Sequence, residues 1–169
     1  MIRDATEDDL AAIVGIYNAA IPGRLATADT EPVSVESRRA WLRDRDFARR
    51  PVWVVEGDGE GGGIDAWLSF GAFYGRPAYS ATAEIGIYVA PGAQRRGLAT
   101  RLMEEAVARA GGLGIQTFLG FVFAHNDRSV ALCHKFGFET WGRLPRVAVL
   151  DGIERDLLIL GRRVAGADG

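Results

Sequence analysis

Glu84-Ile-Gly-Ile-Tyr-Val-Ala-Pro-Gly-Ala-Gln-Arg-Arg-Gly-Leu-Ala-Thr100 decides how the chain is read. Its first half has the alternating, β-branched character of a strand. Pro91-Gly92 turns the chain, and Gln94-Arg95-Arg96-Gly97-Leu98-Ala99 leads directly into a long amphipathic repeat. A strand, a basic glycine-containing loop and a helix N-terminus together present several free backbone N–H groups to a phosphate. Glu84 adds a carboxylate at the start of the strand, so candidate chemistry stands beside candidate binding. The loop is not a Walker A loop, because it has no Gly-Lys-Ser/Thr. Nor does it fit a dinucleotide fingerprint: the strand is not the first of a βαβ unit, and the glycine spacing is wrong.

Downstream of this stretch, Leu98, Leu102, Ala106, Val107 and Ala110 line one face of a helix, and Arg101, Glu104, Glu105 and Arg109 the other. Gly111-Gly112 ends it. Ile115 to Phe123 is nearly all apolar, as a central strand covered on both faces is. Asn126 or Asp127 caps a short helix through Ala131, Leu132 and Phe136, which Gly137 terminates. Two last strands, around Phe138 to Val149 and Ile153 to Leu160, are joined by a turn at Asp151-Gly152.

Upstream, Arg76-Pro77 makes Tyr74 to Ser80 a connecting segment. Pro51 to Glu56 and Ile64 to Phe73 are strands joined by a hairpin turn over Gly57 to Gly63. Ser34 caps a polar helix through Trp41 and Leu42 that ends before Pro51, and Arg24 to Pro32 is a loop. Thr6-Glu7-Asp8-Asp9 is a capping box for a helix carrying Leu10, Ile13, Val14, Ile16 and Tyr17, stopped by Pro22-Gly23. Met1 to Asp4 is an edge strand. The order β-α-α-β-β-β-α-β-α-β-β makes an α+β fold, a mixed central sheet of about seven strands flanked by about four helices. One domain is expected over 1–163, with a disordered tail at 164–169.

A chain of 169 residues buries a core without staples. Its net charge of −2 speaks against general nucleic-acid binding, although Arg95, Arg96 and Arg101 form a local basic patch. Cys133 is the only cysteine, so a disulfide framework and a cysteine zinc site are both excluded, and no metal is expected. No apolar run reaches membrane-spanning length and Met1-Ile2-Arg3-Asp4 does not open a signal peptide, which makes the cytoplasm the expected location.

Gln94-Arg-Arg-Gly-Leu-Ala99 resembles the Q/R-x-x-G-x-G/A acyl-CoA motif of the GNAT acetyltransferase superfamily, with Ala99 in the final small position. The helix that follows, the apolar strand, Asn126 and the Phe136-Gly137-Phe138 ending fall where that superfamily places them. Arg3 to Asp9, Asp29-Thr-Glu-Pro32, Arg76-Pro-Ala-Tyr79, Ala83-Glu84 and Tyr88-Val-Ala-Pro91 look like signatures of its phosphinothricin and methionine sulfoximine N-acetyltransferase branch. The likeness runs from Ile2 to about Leu160.

The resemblance implies acetyl-CoA as co-substrate. Backbone groups of Ile87, Tyr88 and Val89 would pair with its pantetheine arm as an extra strand, and could polarise the thioester carbonyl. Amides from Arg95, Arg96, Gly97, Leu98, Ala99 and Thr100 would hold the pyrophosphate, and Asn126 would bond the arm. Glu84 would be the general base that takes a proton from the acceptor amine; the alternative is a solvated strand residue or an ion-pair partner of an arginine such as Arg76. A general acid is left open. Relatives carry tyrosine, or in this branch histidine, where this chain has Cys133; His134 and Tyr88 are further candidates.

The resemblance also implies an acceptor pocket lined by the Arg24 to Thr30 loop and the Tyr74 to Tyr79 segment. Thr27 and Ala28 would stand on its wall, Arg76 would clamp a carboxylate or phosphinate, and Tyr79 would bond or pack. Ala28 replaces an aromatic residue common in the branch, so a roomier site is expected. Trp41, Trp53 and Trp67 are expected to pack the core, and Trp141 lies where family members often form homodimers. The expected activity is acetyl transfer to a small amino-acid-like amine by direct attack in a ternary complex. The rivals are another amine class (polyamine, aminoglycoside or protein N-terminus) and a non-catalytic acyl-CoA sensor.

Overall fold

The computed structural model describes residues 1–58 and 63–164. The elements follow the expected order: β1 (Ile2–Asp4), α1 (Leu10–Ala20), α2 (Val35–Arg43), β2 (Val52–Glu56), β3 (Ile64–Ala72), β4 (Thr82–Val89), α3 (Leu98–Arg109), β5 (Thr117–Phe123), α4 (Asp127–Lys135), β6 (Glu139–Leu150) and β7 (Ile153–Arg163). Part of the expected hairpin turn (59–62) and of the expected tail (165–169) lies outside the described residues. Val164, assigned to that tail by the sequence pattern, instead packs against the core, and its N–H reaches Gln116 O at 2.9 Å.

The strands form one seven-stranded sheet in the order β1-β2-β3-β4-β5-β7-β6. Neighbours run antiparallel except β4 and β5, which are parallel because α3 carries the chain back between them. Alternation along each strand feeds two cores. Val52, Val54 and Trp67 meet Leu10, Ile13, Val14 and Leu42 on the α1–α2 face. Trp53, Leu68, Phe70, Ile85 and Phe118 meet Leu98, Leu102, Met103 and Ala106 on the α3 face. Fully buried Trp53 lies edge-on to Phe70 at 4.9 Å and under the Arg109 guanidinium at 4.5 Å.

The acidic run before α1 is a 3-10 turn, Glu7–Asp9, rather than the first turn of the α-helix. Asp9 explains the difference. Its carboxylate accepts from Thr6 N at 2.8 Å and from two nitrogens of Arg3 at 2.7 and 2.9 Å, and these bonds tighten the turn against β1. The Arg3 hydrogen bonds, ahead of the Thr6 contacts, hold the Asp9 pKa below the usual carboxylate range. A depressed folded-state pKa stabilises above the unfolded value of about 3.9 and ceases to do so as pH falls through the folded value. Asp9→Asn is expected to cost about 1–3 kcal/mol at neutral pH. In urea titrations the variant and parent should converge at pH values below both pKa values.

The parallel pairing is short. Thr82, Ala83 and Glu84 pair with Thr117, Phe118 and Leu119, and there the ladder stops. Ile85 to Val89 keep their β3 partners and Gly120 to Phe123 keep their β7 partners, so the two strands part beyond Glu84. The expected double coverage of the apolar strand therefore holds only for its first half. Its second half opens into a cleft.

Candidate active site

The cleft between the parted strands has a volume of about 620 Å³. Gly86 to Tyr88 of β4, Gly120 to Phe123 of β5, Asn126, and Leu132 and Cys133 of α4 line it. Beyond Glu84 the β4 edge facing β5 has no ladder partner, so an extended chain entering the cleft can bond to it as an added strand.

β4 runs on past the parting of the strands into the glycine-containing loop. Pro91–Ala93 is a 3-10 turn, Arg95 and Gly97 have φ of 62° and 76°, and α3 begins at Leu98. Gly97 takes the left-handed conformation without the penalty a Cβ brings. Gly97 O is first used by Arg101 N at 3.0 Å, and no side chain caps the helix, so the amides of Leu98, Ala99 and Thr100 have no intrahelical acceptor. The basic patch is smaller than the sequence suggests. Arg96 turns back to Asp65 at 2.7 Å and Asp58 at 2.6 Å, tying the loop to β3, while Arg95 and Arg101 make no ion pair among the described residues.

The 24–28 segment crosses the cleft, held by three consecutive carbonyls. His125 Nε2 lies 2.9 Å from Arg24 O, Asn126 Nδ2 donates to Leu25 O at 3.1 Å, and the Tyr88 hydroxyl donates to Ala26 O at 3.2 Å. Buried Asn126 also caps α4, its Oδ1 accepting from Ser129 N at 3.2 Å. One Nδ2 proton remains for another partner. Thr27 is buried, with its hydroxyl 2.6 Å from that of Tyr17, which also donates to Asp29. Ala28 lines the cleft.

A second cavity of about 250 Å³ lies on the α1–α2 face of the sheet. Ser69, Gly71 and Gly86 leave room for it, and Tyr17, Arg38, Trp41, Arg45 and Trp67 wall it. Trp41 and Trp67 pack edge to face at 6.0 Å as core residues do, yet both also border this space. Trp67 stacks on Tyr88 at 4.7 Å. Tyr17, Glu84, Gly86 and Tyr88 line both cavities. The two spaces therefore adjoin along these four residues, of which Glu84 is the one carboxylate.

Glu84 stands opposite Gly71 and pairs with no arginine among the described residues. Its side chain is open to the cavities, but the loss of surrounding water still raises its pKa above the ordinary glutamate value. Arg76 and Tyr79 do not join it. They flank and end an exposed 3-10 turn (Pro77–Tyr79), line neither cavity, and Tyr79 packs on Phe73 at 5.2 Å. Buried Cys133 faces the larger cleft with its thiol pushed up to about 11 by burial, and His134 is exposed. Burial likewise raises the Tyr88 phenol. Both groups hold their protons at neutral pH.

Tyr17, Arg38, Trp41, Arg45 and His125 are site residues that periodicity does not single out. Tyr17 fits the apolar face of α1, and the arginines fit the solvated face of a polar helix. Among the described residues no trio of metal-ligating side chains gathers, and no helix is long and apolar enough to cross a membrane.

The acetyltransferase (GNAT) family pattern matches residues 13–138, which include both parted strands, the loop and Asn126. The chain belongs to the GNAT acetyltransferase family. The Bacillus subtilis protein YwnH is 44% identical over 164 residues, 97% of this chain and 99% of its own. The L-methionine sulfoximine/L-methionine sulfone acetyltransferase of Salmonella typhimurium is 31% identical over 159 residues, 94% of this chain and 91% of its own. Among solved structures, a GNAT phosphinothricin acetyltransferase from Sinorhizobium meliloti in complex with acetyl-CoA superposes with a TM-score of 0.87 at 26% identity, over 100% of this chain and 91% of that one. The sheet with its parted strands is thus a GNAT sheet, and the chain is an acetyltransferase by family.

Proposed function

We propose that this GNAT enzyme transfers acetyl from acetyl-CoA to the amine of a small amino-acid-like acceptor of the phosphinothricin, methionine sulfoximine and methionine sulfone class. The observation that carries the reading is that two cavities adjoin along residues that include Glu84. One holds an unpaired strand edge, on the strand that runs on to the uncapped helix N-terminus. The other is a smaller chamber walled by aromatic and basic side chains.

The larger cleft suits acetyl-CoA. The open β4 edge at Ile87, Tyr88 and Val89 offers backbone bonds to an extended arm, and Asn126 has a proton to spare. Amides from Arg95 to Thr100 offer a positive helix end to a pyrophosphate. Bound acetyl-CoA supplies the thioester carbonyl that the amine attacks. Glu84 takes the amine's proton, directly or through water, and its raised pKa brings it closer to neutrality, where a base is most effective. Tyr88 and Cys133 remain protonated beside the cleft and can donate hydrogen bonds. With pKa values raised above an ordinary thiol's about 8.5, they surrender protons reluctantly to a leaving thiolate.

Two adjoining cavities, with room for both substrates at once, favour direct attack within a ternary complex. Initial velocities with both substrates varied should give intersecting lines in double-reciprocal plots; parallel lines would indicate a covalent acetyl-enzyme instead. Ala28 leaves open a wall of the cleft that Glu84 also lines, so phosphinothricin should be acetylated with a lower kcat/KM than a larger amino-acid amine such as tryptophan. Specificity constants favouring phosphinothricin would contradict this. The same reading includes a homodimer along edge strand β6, where Trp141, Val147 and Val149 are exposed.

A further inference from the structure

We propose that Arg45 binds the carboxylate of an α-amino-acid acceptor, so that the enzyme selects amino acids over amines lacking an acid group. This rests on the acetyltransferase reading above and adds the residue that would choose the acceptor.

Arg45 follows α2 and turns inward rather than toward solvent. Its Nε donates to Arg50 O at 2.9 Å, its Nη2 donates to Phe70 O, and its guanidinium lies over the Trp41 ring at 4.9 Å. Those contacts occupy two of its five N–H groups. No carboxylate lies within ion-pair distance of it among the described residues. Burial, with a smaller contribution from Arg50, lowers its pKa to about 10, which leaves it fully charged at neutral pH. A half-buried cation beside a cavity, with no anion at ion-pair distance among the described residues, favours an anionic ligand.

The position of Arg45 relative to Glu84 specifies that ligand further. Phe70 O, which accepts the Arg45 hydrogen bond, belongs to the residue before Gly71, and Gly71 stands directly opposite Glu84 across the β3–β4 ladder. The cavity therefore has a cation on one side and the candidate base on the other. An α-amino acid arrives as a zwitterion with the complementary arrangement: carboxylate toward Arg45, ammonium toward Glu84. Trp41 and Trp67 supply apolar surface for its side chain.

The other arginines fit this role less well. Arg38 already faces Asp29 at 3.6 Å and lies over the Tyr17 ring at 5.5 Å. Arg76 is outside both cavities. A protein N-terminus has its first carboxyl tied up as an amide and would leave Arg45 uncompensated, while polyamines and aminoglycosides would bring cations to it. The charge of this cavity thus separates the amino-acid reading from its rivals among amines.

The test compares L-methionine sulfone with its carboxamide as acceptors, using parent enzyme, Arg45→Met and Arg45→Lys. The parent should prefer the acid in kcat/KM by about 10–100-fold, the value of one charge-assisted pair. Arg45→Met should bring the ratio near one with acetyl-CoA affinity unchanged, and Arg45→Lys should recover part of the preference. A purely structural role lowers both acceptors together and leaves their ratio intact, so a preserved ratio in Arg45→Met overturns the proposal. Equal parent rates with acid and amide overturn the carboxylate site alone. A parent that acetylates no amine overturns the acetyltransferase reading beneath it as well.

Discussion

Glu84→Gln is expected to lower kcat by about 10²–10⁴-fold, the range for loss of a general base, with the dissociation constant for acetyl-CoA little changed. Gln keeps the size of the side chain and removes its ability to take a proton. Glu84 lies where the two cavities adjoin and not at the loop near α3, so cofactor binding should survive the change. The pH profile sharpens the expectation. A base must be ionised to act, and desolvation raises the Glu84 pKa, so the acid limb of the parent's kcat/KM should lie above the ordinary glutamate value of about 4.3. The variant should lack that limb.

Folding itself should tolerate this change at neutral pH. A carboxyl whose folded pKa is raised favours the fold when protonated, at low pH, and loses that contribution as pH rises through the folded value. A neutral amide avoids the loss. Unchanged turnover in Glu84→Gln, with the fold intact, would remove Glu84 from the mechanism.

Phe118→Ala is expected to destabilise the protein by about 3–5 kcal/mol. Phe118 is fully buried, stacked between Phe70 at 6.1 Å and Phe138 at 6.3 Å. It also pairs with Ala83 in the short parallel ladder that closes the narrow end of the cleft. Losing the ring creates a void at the point where β4 and β5 begin to part. For a chain of this size the melting temperature should fall by roughly 6–20 °C. A fall of only a degree or two would mean that the base of the cleft is held by contacts other than this stack.

The elements were legible because their periods are clean. The alternation of Ile85, Ile87 and Val89 and the 3.6-residue pattern of Leu98, Leu102 and Ala106 each point to one element type. The capping box of Thr6 and Asp9 forms as its residues suggest, but the 3-10 form of the turn before α1 was not legible, because Asp9 also bonds Arg3, a residue of another element. Within the site, Glu84 and the loop through Gly97 stand on regular elements, so their positions followed from pattern. The chamber walls did not. Arg38 and Arg45 resemble ordinary solvated charges of a polar helix, and it is the carbonyls of Arg50 and Phe70, with the Trp41 ring, that hold Arg45 inward. The 24–28 loop has no period, and it is fixed by His125, Asn126 and Tyr88, far along the chain. Arg76 illustrates the converse: a recognisable motif residue that the fold of this chain leaves at the surface.

The most direct test is to incubate the enzyme with acetyl-CoA and a panel containing methionine sulfoximine, methionine sulfone, phosphinothricin and unrelated amines, following free thiol and identifying products by mass. The account predicts one thiol released for each acetyl group found on an amino-acid amine, with no release when the amine is withheld. Tight acetyl-CoA binding without release for any amine would contradict it and make the protein an acyl-CoA sensor.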